Sequence, residues 1–362
     1  MKDSLHPGVI ASKLATVRKQ KGISAASLAA DVGVSRQTIY ALEAGTYIPN
    51  TAVALRLARV LVVTVEELFE LPEAASQHPR TVTPITKDLE PGQPVQLCRV
   101  DDKLIAIPSA PAAWYLPASD GVLADKTRVD LDGSEPDFNN RLLLAGCDPA
   151  MAVLARYLQP IGIDLVLTHQ NSSQSLSLLK QGCVHLAGTH LRSNDAAIAK
   201  LFPGNTVTLI SFALGEEGLL TASGNPRNIK EVQDLARKDM TLINREAGSG
   251  SRTLLDAHLK RLQLDGEKIH GYHLTAPGHL AAAWEVKTGR ADCCIATHSA
   301  ARALGLHFIP LESVRYDLVV HKRHMKLPAM QTLFDVVNRV KFREALHRVG
   351  GYDTSVTGAR VR

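Results

Sequence analysis

The chain is poor in aromatic residues, with two Trp, seven Tyr and seven Phe among 362 positions. It has no apolar run near the ~20 residues that a membrane helix needs, so no membrane partner is expected. The first residues lack a basic-then-apolar leader with a small-residue cleavage site, which points to the cytoplasm. Cysteine is scarce and odd in number: Cys98, Cys147, Cys183, Cys293 and Cys294 show no CxxC spacing, so neither a disulfide framework nor a zinc finger is expected. Neighbours on a strand point to opposite faces, so Cys293 and Cys294 read as small buried side chains rather than a redox pair. The fourteen histidines form no helical HxxxH pair, and neither a metal site nor a cofactor is expected. Charge of one sign is also scarce: 41 basic against 36 acidic residues leave +5, which matters to nucleic acid only if it is localised.

It is localised. Up to Tyr40 six basic residues face two acidic ones, so most of the excess sits at the front. At this length two or more globular units are expected. Helical periodicity fills the front end, and PEAASQHPRTVTP then breaks it with prolines and small polar residues. Short apolar runs such as VQLCRV and KLIAIP follow, and from Arg141 compact strands alternate with helical windows. The expected architecture is multidomain: an all-α head at 8–72, a linker at 73–88, a small β-rich connector at 89–138, and a two-lobed α/β domain with largely parallel sheets at 139–362.

Within the head, apolar spacing through Ile10, Leu14 and Val17 stops at Lys21-Gly22. Ser24 caps a second helix that turns Leu28, Ala29 and Val32 inward. Ser35 caps a third that buries Ile39 and Leu42 and presents Arg36, Gln37, Tyr40 and Ala41 outward. Helix, glycine-containing turn, helix is the spacing of a DNA-binding helix-turn-helix. The stretch AASLAADVGVSRQTIYALEAGTYIPN resembles the core motif of the Cro/phage-repressor family, and ALRLARVLVVTVEELF its last two helices. The resemblance implies a double-stranded operator as partner, read by Ser35, Arg36, Gln37, Thr38, Tyr40 and Ala41, and a homodimer. Arg pairs with guanine acceptors and Gln with adenine; a phosphate contact is the equal alternative for Arg36. Arg18 and Glu43 look like the family's internal ion pair. Ala25 stands where the family often has a phosphate-binding glutamine.

In the rear half, NREAGSGSRTLLDAHL places Gly248, Ser249, Gly250 and Ser251 where a short strand turns into an amphipathic helix. Free amides at a helix N-terminus attract anions. AGCDPAM ends another strand at Cys147-Asp148, and THQNSSQSLSLL opens another helix at Ser172-Ser173. Such turns gather at the carboxyl ends of strands, where ligands bind. AGCDPAM, LKQGCVHLAGTHL, NREAGSGSRTLLD, TGRADCCIAT, ESVRYDLVV and GGYDTSVTGARV together resemble the periplasmic-binding-protein superfamily, specifically its cytosolic molybdate-binding-like branch fused to helix-turn-helix domains. That resemblance implies a type II Venus-flytrap fold, with hinge strands near Ser211–Leu214 and Leu311–Tyr316. It also implies a cleft formed by Cys147, Asp148, Ser172, Ser173, Ser249, Gly250, Ser251, Thr297 and Tyr316. Arg245 and Arg252 are expected at the surface, with counter-charges to a ligand as the alternative, and His190 at a strand end hydrogen-bonded to backbone, with a ligand contact as the alternative.

These readings describe a transcription regulator whose rear domain senses a small anion, molybdate or tungstate favoured, with a small organic metabolite as the first alternative and a ligand-free adaptor as a further one. The sequence names no nucleophile beside a base, no carboxylate pair and no metal cluster, so an enzyme is not expected.

Overall fold

The computed structural model describes residues 11–70, 80–87, 89, 91–108, 118–133, 135–190 and 194–361. It divides into two compact units, Met1–Pro79 and Arg80–Arg362.

The first unit holds helices α1 (Leu14–Gln20), α2 (Ala25–Val32), α3 (Arg36–Glu43), α4 (Thr51–Leu61) and α5 (Val65–Leu68), with strands β1 (Ala11–Ser12) and β2 (Phe69–Glu70) paired beside them. Local chemistry sets the boundaries: the side chains of Ser24, Ser35, Asn50 and Thr64 each accept an amide from the first turn of the helix they cap. Gly33 takes the left-handed conformation that closes α2. Leu14, Leu28, Ile39, Leu42, Leu57 and Leu61 form the core, and Ala25 is buried in it.

In the second unit, β3 (Arg80–Thr81), β4 (Thr83–Pro84), β5 (Pro94–Val100), β6 (Lys103–Pro108), β7 (Gly121–Asp125) and β8 (Arg128–Leu131) make one sheet in the order β3-β8-β7-β5-β6-β4. Residues 80–84, expected as linker, are edge strands of this sheet; residues 73–79 lie outside the described residues. The sheet is no free-standing connector. Cys98, Val100, Ile105 and Ile107 pack into one cluster with Leu143, Ala145 and Val166 of the first lobe. Arg141 ties Asp120 and the Leu97 carbonyl to Asp164.

The two-lobed part contains β9 (Arg141–Gly146), α6 (Met151–Leu158), β10 (Asp164–His169), α7 (Ser172–Lys180), β11 (Leu186–Thr189), α8 (Asn194–Leu201), β12 (Val207–Thr221), β13 (Asn244–Arg245), α9 (Gly250–Leu262), β14 (Thr275–Ala276), α10 (His279–Lys287), β15 (Cys293–Thr297), α11 (His298–Leu304), β16 (His307–His321), α12 (Pro328–Asn338), α13 (Val340–Val349) and β17 (Tyr352–Asp353). Its main sheet runs β10-β9-β11-β16-β12-β15, with β17 against β12. Strands β9, β10 and β11 are parallel and β13 pairs parallel with β14. The expectation of largely parallel sheets is corrected at the centre: β12 and β16, each 15 residues long, pair antiparallel from Val207↔His321 to Thr221↔His307 and carry the sheet from one lobe into the other. Ser211–Leu214 and Leu311–Tyr316, expected as hinges, lie on this ribbon, with a register shift between Ser211 and Ala213. Separate cores flank it: Leu154, Leu318 and Leu333 belong to the first lobe, and Leu242, Leu254 and Ile295 to the second.

Candidate functional site

The outward face of α3 carries Ser35, Arg36, Gln37 and Tyr40 exposed, with Thr38 and Ala41 half-buried over the fully buried Ile39 and Leu42. Ser35 Oγ accepts the Thr38 amide at 3.0 Å. The Arg36 guanidinium donates to the Tyr40 hydroxyl at 2.8 and 3.1 Å, which holds both side chains along the same face.

In the second unit six strand ends meet. Cys147 and Asp148 follow β9, the loop into α7 follows β10, and His190 follows β11; the loop into α9 follows β13, His279 follows β14, and Thr297 ends β15. Ligands of open α/β sheets gather at such carboxyl ends. The two lobes touch there: Asn171 Nδ2 donates to the Ala247 carbonyl at 3.2 Å, and a Cβ added to Gly248 would stand 3.4 Å from Ser173 Cβ.

Every expected cleft residue except Ser173 is buried. Most of their polar groups are engaged with one another. The helix cap at α7 is Asn171 rather than a serine, paired reciprocally with Gln174. Ser172 Oγ accepts the His190 amide at 3.2 Å and stands 3.4 Å from His190 Nδ1. Ser249 caps α9 through the Arg252 amide and donates to the Glu246 carbonyl. Ser251 Oγ donates to Glu217 Oε1 at 3.1 Å. Asp148 accepts from the Tyr352 hydroxyl at 2.8 Å, which also reaches Ser299, and Ser299 bonds Thr297. Gly250 lets the helix start run hard against His190, since a Cβ there would stand 2.5 Å from the ring. Gly188 does the same for Tyr316. The void lined by Asp148, His190, Thr297, Tyr316 and Tyr352 encloses about 10 Å³, room for one water. A larger ligand therefore enters only when the lobes part.

Sequence reasoning missed the charged centre. Arg245, expected at the surface, is 1% exposed: Nε and Nη2 donate to Glu246 at 2.9 and 3.0 Å, and Nη1 has no partner among the described residues. Glu217, also 1% exposed, puts Oε1 3.1 Å from His190 Nε2 and 3.9 Å from His279 Nε2. Burial opposes the imidazolium of His190, but the Glu217 carboxylate and Cys147 together outweigh it and raise the His190 pKa well above its ordinary value. Burial, together with the Arg245 and His190 charges, drives that of His279 well down. Arg252 lies away from this centre, paired with Asp256 and stacked over Tyr272 with its guanidinium carbon 4.0 Å from the ring centroid. Ligand atoms of Cys147, His190 and His279 lie within 4.8 Å of one another, a grouping the sequence reading did not anticipate. Sequence spacing hid them, because each comes from a different strand end.

Residues 155–338 match the PBP superfamily domain and residues 14–68 match a helix-turn-helix. The chain belongs to the PBP superfamily. It is 31% identical to YvgK of Bacillus subtilis over 247 residues, covering 66% of this chain and 80% of YvgK. Its front end is 36% identical over 62 residues to the HTH-type transcriptional regulator YgzD of the same organism, 17% of this chain and 94% of YgzD. The periplasmic molybdate-binding protein of Azotobacter vinelandii superposes with a TM-score of 0.47 at 12% identity, covering 59% of this chain and 98% of that one. The PBP superfamily protein thus joins a helix-turn-helix of the transcription-regulator type to a periplasmic-binding-like domain, and no described helix is long and apolar enough to cross a membrane.

Proposed function

We propose that this protein is a ligand-responsive transcription regulator that acts in the cytoplasm as a homodimer, and that its two-lobed domain binds a small oxyanion of the molybdate or tungstate kind. The observation that carries the effector class is Arg245: a guanidinium 1% exposed, with Nη1 unpartnered among the described residues, on the strand that leads into the N-terminus of α9. A buried cationic donor without an acceptor invites an anion, and the amides opening α7 and α9 favour one electrostatically. The same cationic donor would take an organic anion once the lobes part, which is the second reading.

The site acts by binding rather than catalysis. Ser172, His190 and Glu217 stand in hydroxyl, imidazole, carboxylate order, but Ser172 is fully buried and its oxygen accepts the His190 main-chain amide. Both lobes contribute to the cleft, so a ligand that prefers the closed form shifts the lobe equilibrium. A coupling of about 1–3 kcal/mol to operator binding suffices for regulation.

The test is thermal unfolding of the full chain against molybdate, tungstate, sulfate, phosphate and organic anions, followed by operator binding with and without the effective ligand. Molybdate or tungstate should raise the midpoint in wild type and not in Arg245→Gln. A shift by organic anions alone would replace the effector; a ligand that binds yet leaves operator affinity unchanged would end the sensor reading.

A further inference from the structure

We infer that the cleft also holds a transition-metal cation, bound by Cys147 Sγ, His190 Nε2, His279 Nε2 and a Glu217 oxygen. Ligand atoms of Cys147, His190 and His279 lie within 4.8 Å of one another, with 3.7 Å from Cys147 Sγ to His279 Nε2, and Glu217 Oε1 adjoins them at 3.1 Å from His190 Nε2 and 3.9 Å from His279 Nε2. Bond lengths of about 2.0–2.3 Å to nitrogen, oxygen and sulfur put tetrahedral ligands roughly 3.3–3.7 Å apart. Separations of up to 4.8 Å shorten by as much as about 1 Å when the ligands close on one ion.

Three further features point the same way. All four side chains are buried, and the Glu217 carboxylate, 1% exposed, needs a compensating cation, a place that a metal ion would take over from the His190 proton. A divalent ion facing one thiolate and one carboxylate leaves the centre neutral. Supporting contacts orient two ligands: the Ser172 hydroxyl lies 3.4 Å from His190 Nδ1, and Ser251 donates to Glu217 at 3.1 Å. A thiolate with two imidazoles selects zinc-like ions over magnesium or calcium. Cys147 and His190 follow strands of the first lobe, His279 opens a helix of the second, and Glu217 sits on the β12 ribbon. A bound ion therefore clamps the lobes together. This site goes beyond the oxyanion reading and does not depend on it.

The experiment titrates the metal-stripped full chain with cobalt(II) and then displaces it with zinc. One cobalt per chain should bind, with tetrahedral visible bands and a thiolate-to-cobalt charge-transfer band that Cys147→Ser removes. Zinc affinity should fall by roughly 10–100-fold in Ser172→Ala, which strips the contact behind His190. Zinc should also slow alkylation of Cys147 in wild type, a readout that needs no variant to fold. No charge-transfer band, or one unchanged in Cys147→Ser, would overturn the proposal. Cobalt bands without any anion-induced shift support the metal site and remove the oxyanion reading; an anion-induced shift without cobalt bands does the reverse.

Discussion

Arg18 grips Glu43 with two parallel hydrogen bonds, Nε to Oε1 at 2.5 Å and Nη2 to Oε2 at 3.1 Å, and its remaining nitrogen donates to the Ile23 carbonyl at 3.0 Å. One side chain thus ties α1 to α3 and to the turn before α2. Both partners are only about a tenth exposed, so removing one strands a charge. Glu43→Ala should destabilise the helix-turn-helix by about 2–3 kcal/mol, somewhat under the cost for a fully buried pair. Replacing both by apolar residues of similar size, Arg18→Met with Glu43→Leu, should recover most of that loss. Denaturant unfolding of the full chain and both variants measures it; equal losses in the two would mean that shape rather than charge holds the helices.

Arg36 is the exposed cation of α3, and its hold on Tyr40 lays it along the face that the fold presents. Arg36→Ala should cost about 1–3 kcal/mol of operator affinity and relax specificity at one guanine. Binding to a set of single-base operator variants, repeated across salt concentrations, distinguishes the roles. Uniform weakening with a shallower salt slope would make Arg36 a phosphate contact.

The head was legible because its signals are local: Ser24 and Ser35 cap helices in the structure as the spacing predicts, and Ile39 and Leu42 are the buried positions of α3. In the rear domain the strand-to-helix turns carrying Cys147, Ser172 and Ser249 were legible for the same reason. Glu217 and His279 were not, since nothing in one dimension brings a β12 residue to the first residue of α10. A signal was nevertheless present: Glu216-Glu217 interrupts VTLISFALGEEGLLT, a strand otherwise buried almost throughout, and a charge set into such a strand is seldom there for solvation. Arg245 misled because a lone arginine beside a glutamate usually reads as surface, and only the fold shows that β13 places it inside. Antiparallel pairing of β12 with β16 was hidden by the roughly 85 residues between their nearest ends, which form most of a lobe.

Gly250 is required where α9 meets His190. A methyl group there would stand 2.5 Å from ring atoms of a side chain that is itself buried, so Gly250→Ala must push His190 or the helix aside. The expected cost is about 1–3 kcal/mol of stability, with loss of the ligand-induced rise in thermal midpoint. Gly133→Ala, where an added methyl meets nothing within 4 Å, serves as the control and should be near neutral. A Gly250→Ala protein that unfolds and responds like wild type would show that the lobes do not need this contact.

His185 makes the first lobe acid-sensitive. Its Nδ1 accepts the Leu143 amide at 3.0 Å, so the ring is neutral there, with Cys98 and His324 against it and Asp101 beyond His324. Burial, and then the His324 charge, lower the His185 pKa to about 4. The unfolded chain takes up the proton near pH 6.5, so it binds more protons than the folded chain between those values. Stability from this group is therefore complete above about pH 6.5 and is lost as pH falls toward 4. Between pH 7 and pH 5 the loss is about 2 kcal/mol. His185→Gln keeps an acceptor for the Leu143 amide and removes the titration. Its unfolding free energy should fall less over that range than that of wild type, by about the same amount, in denaturant titrations at the two pH values. Parallel losses would assign the acid sensitivity to other groups.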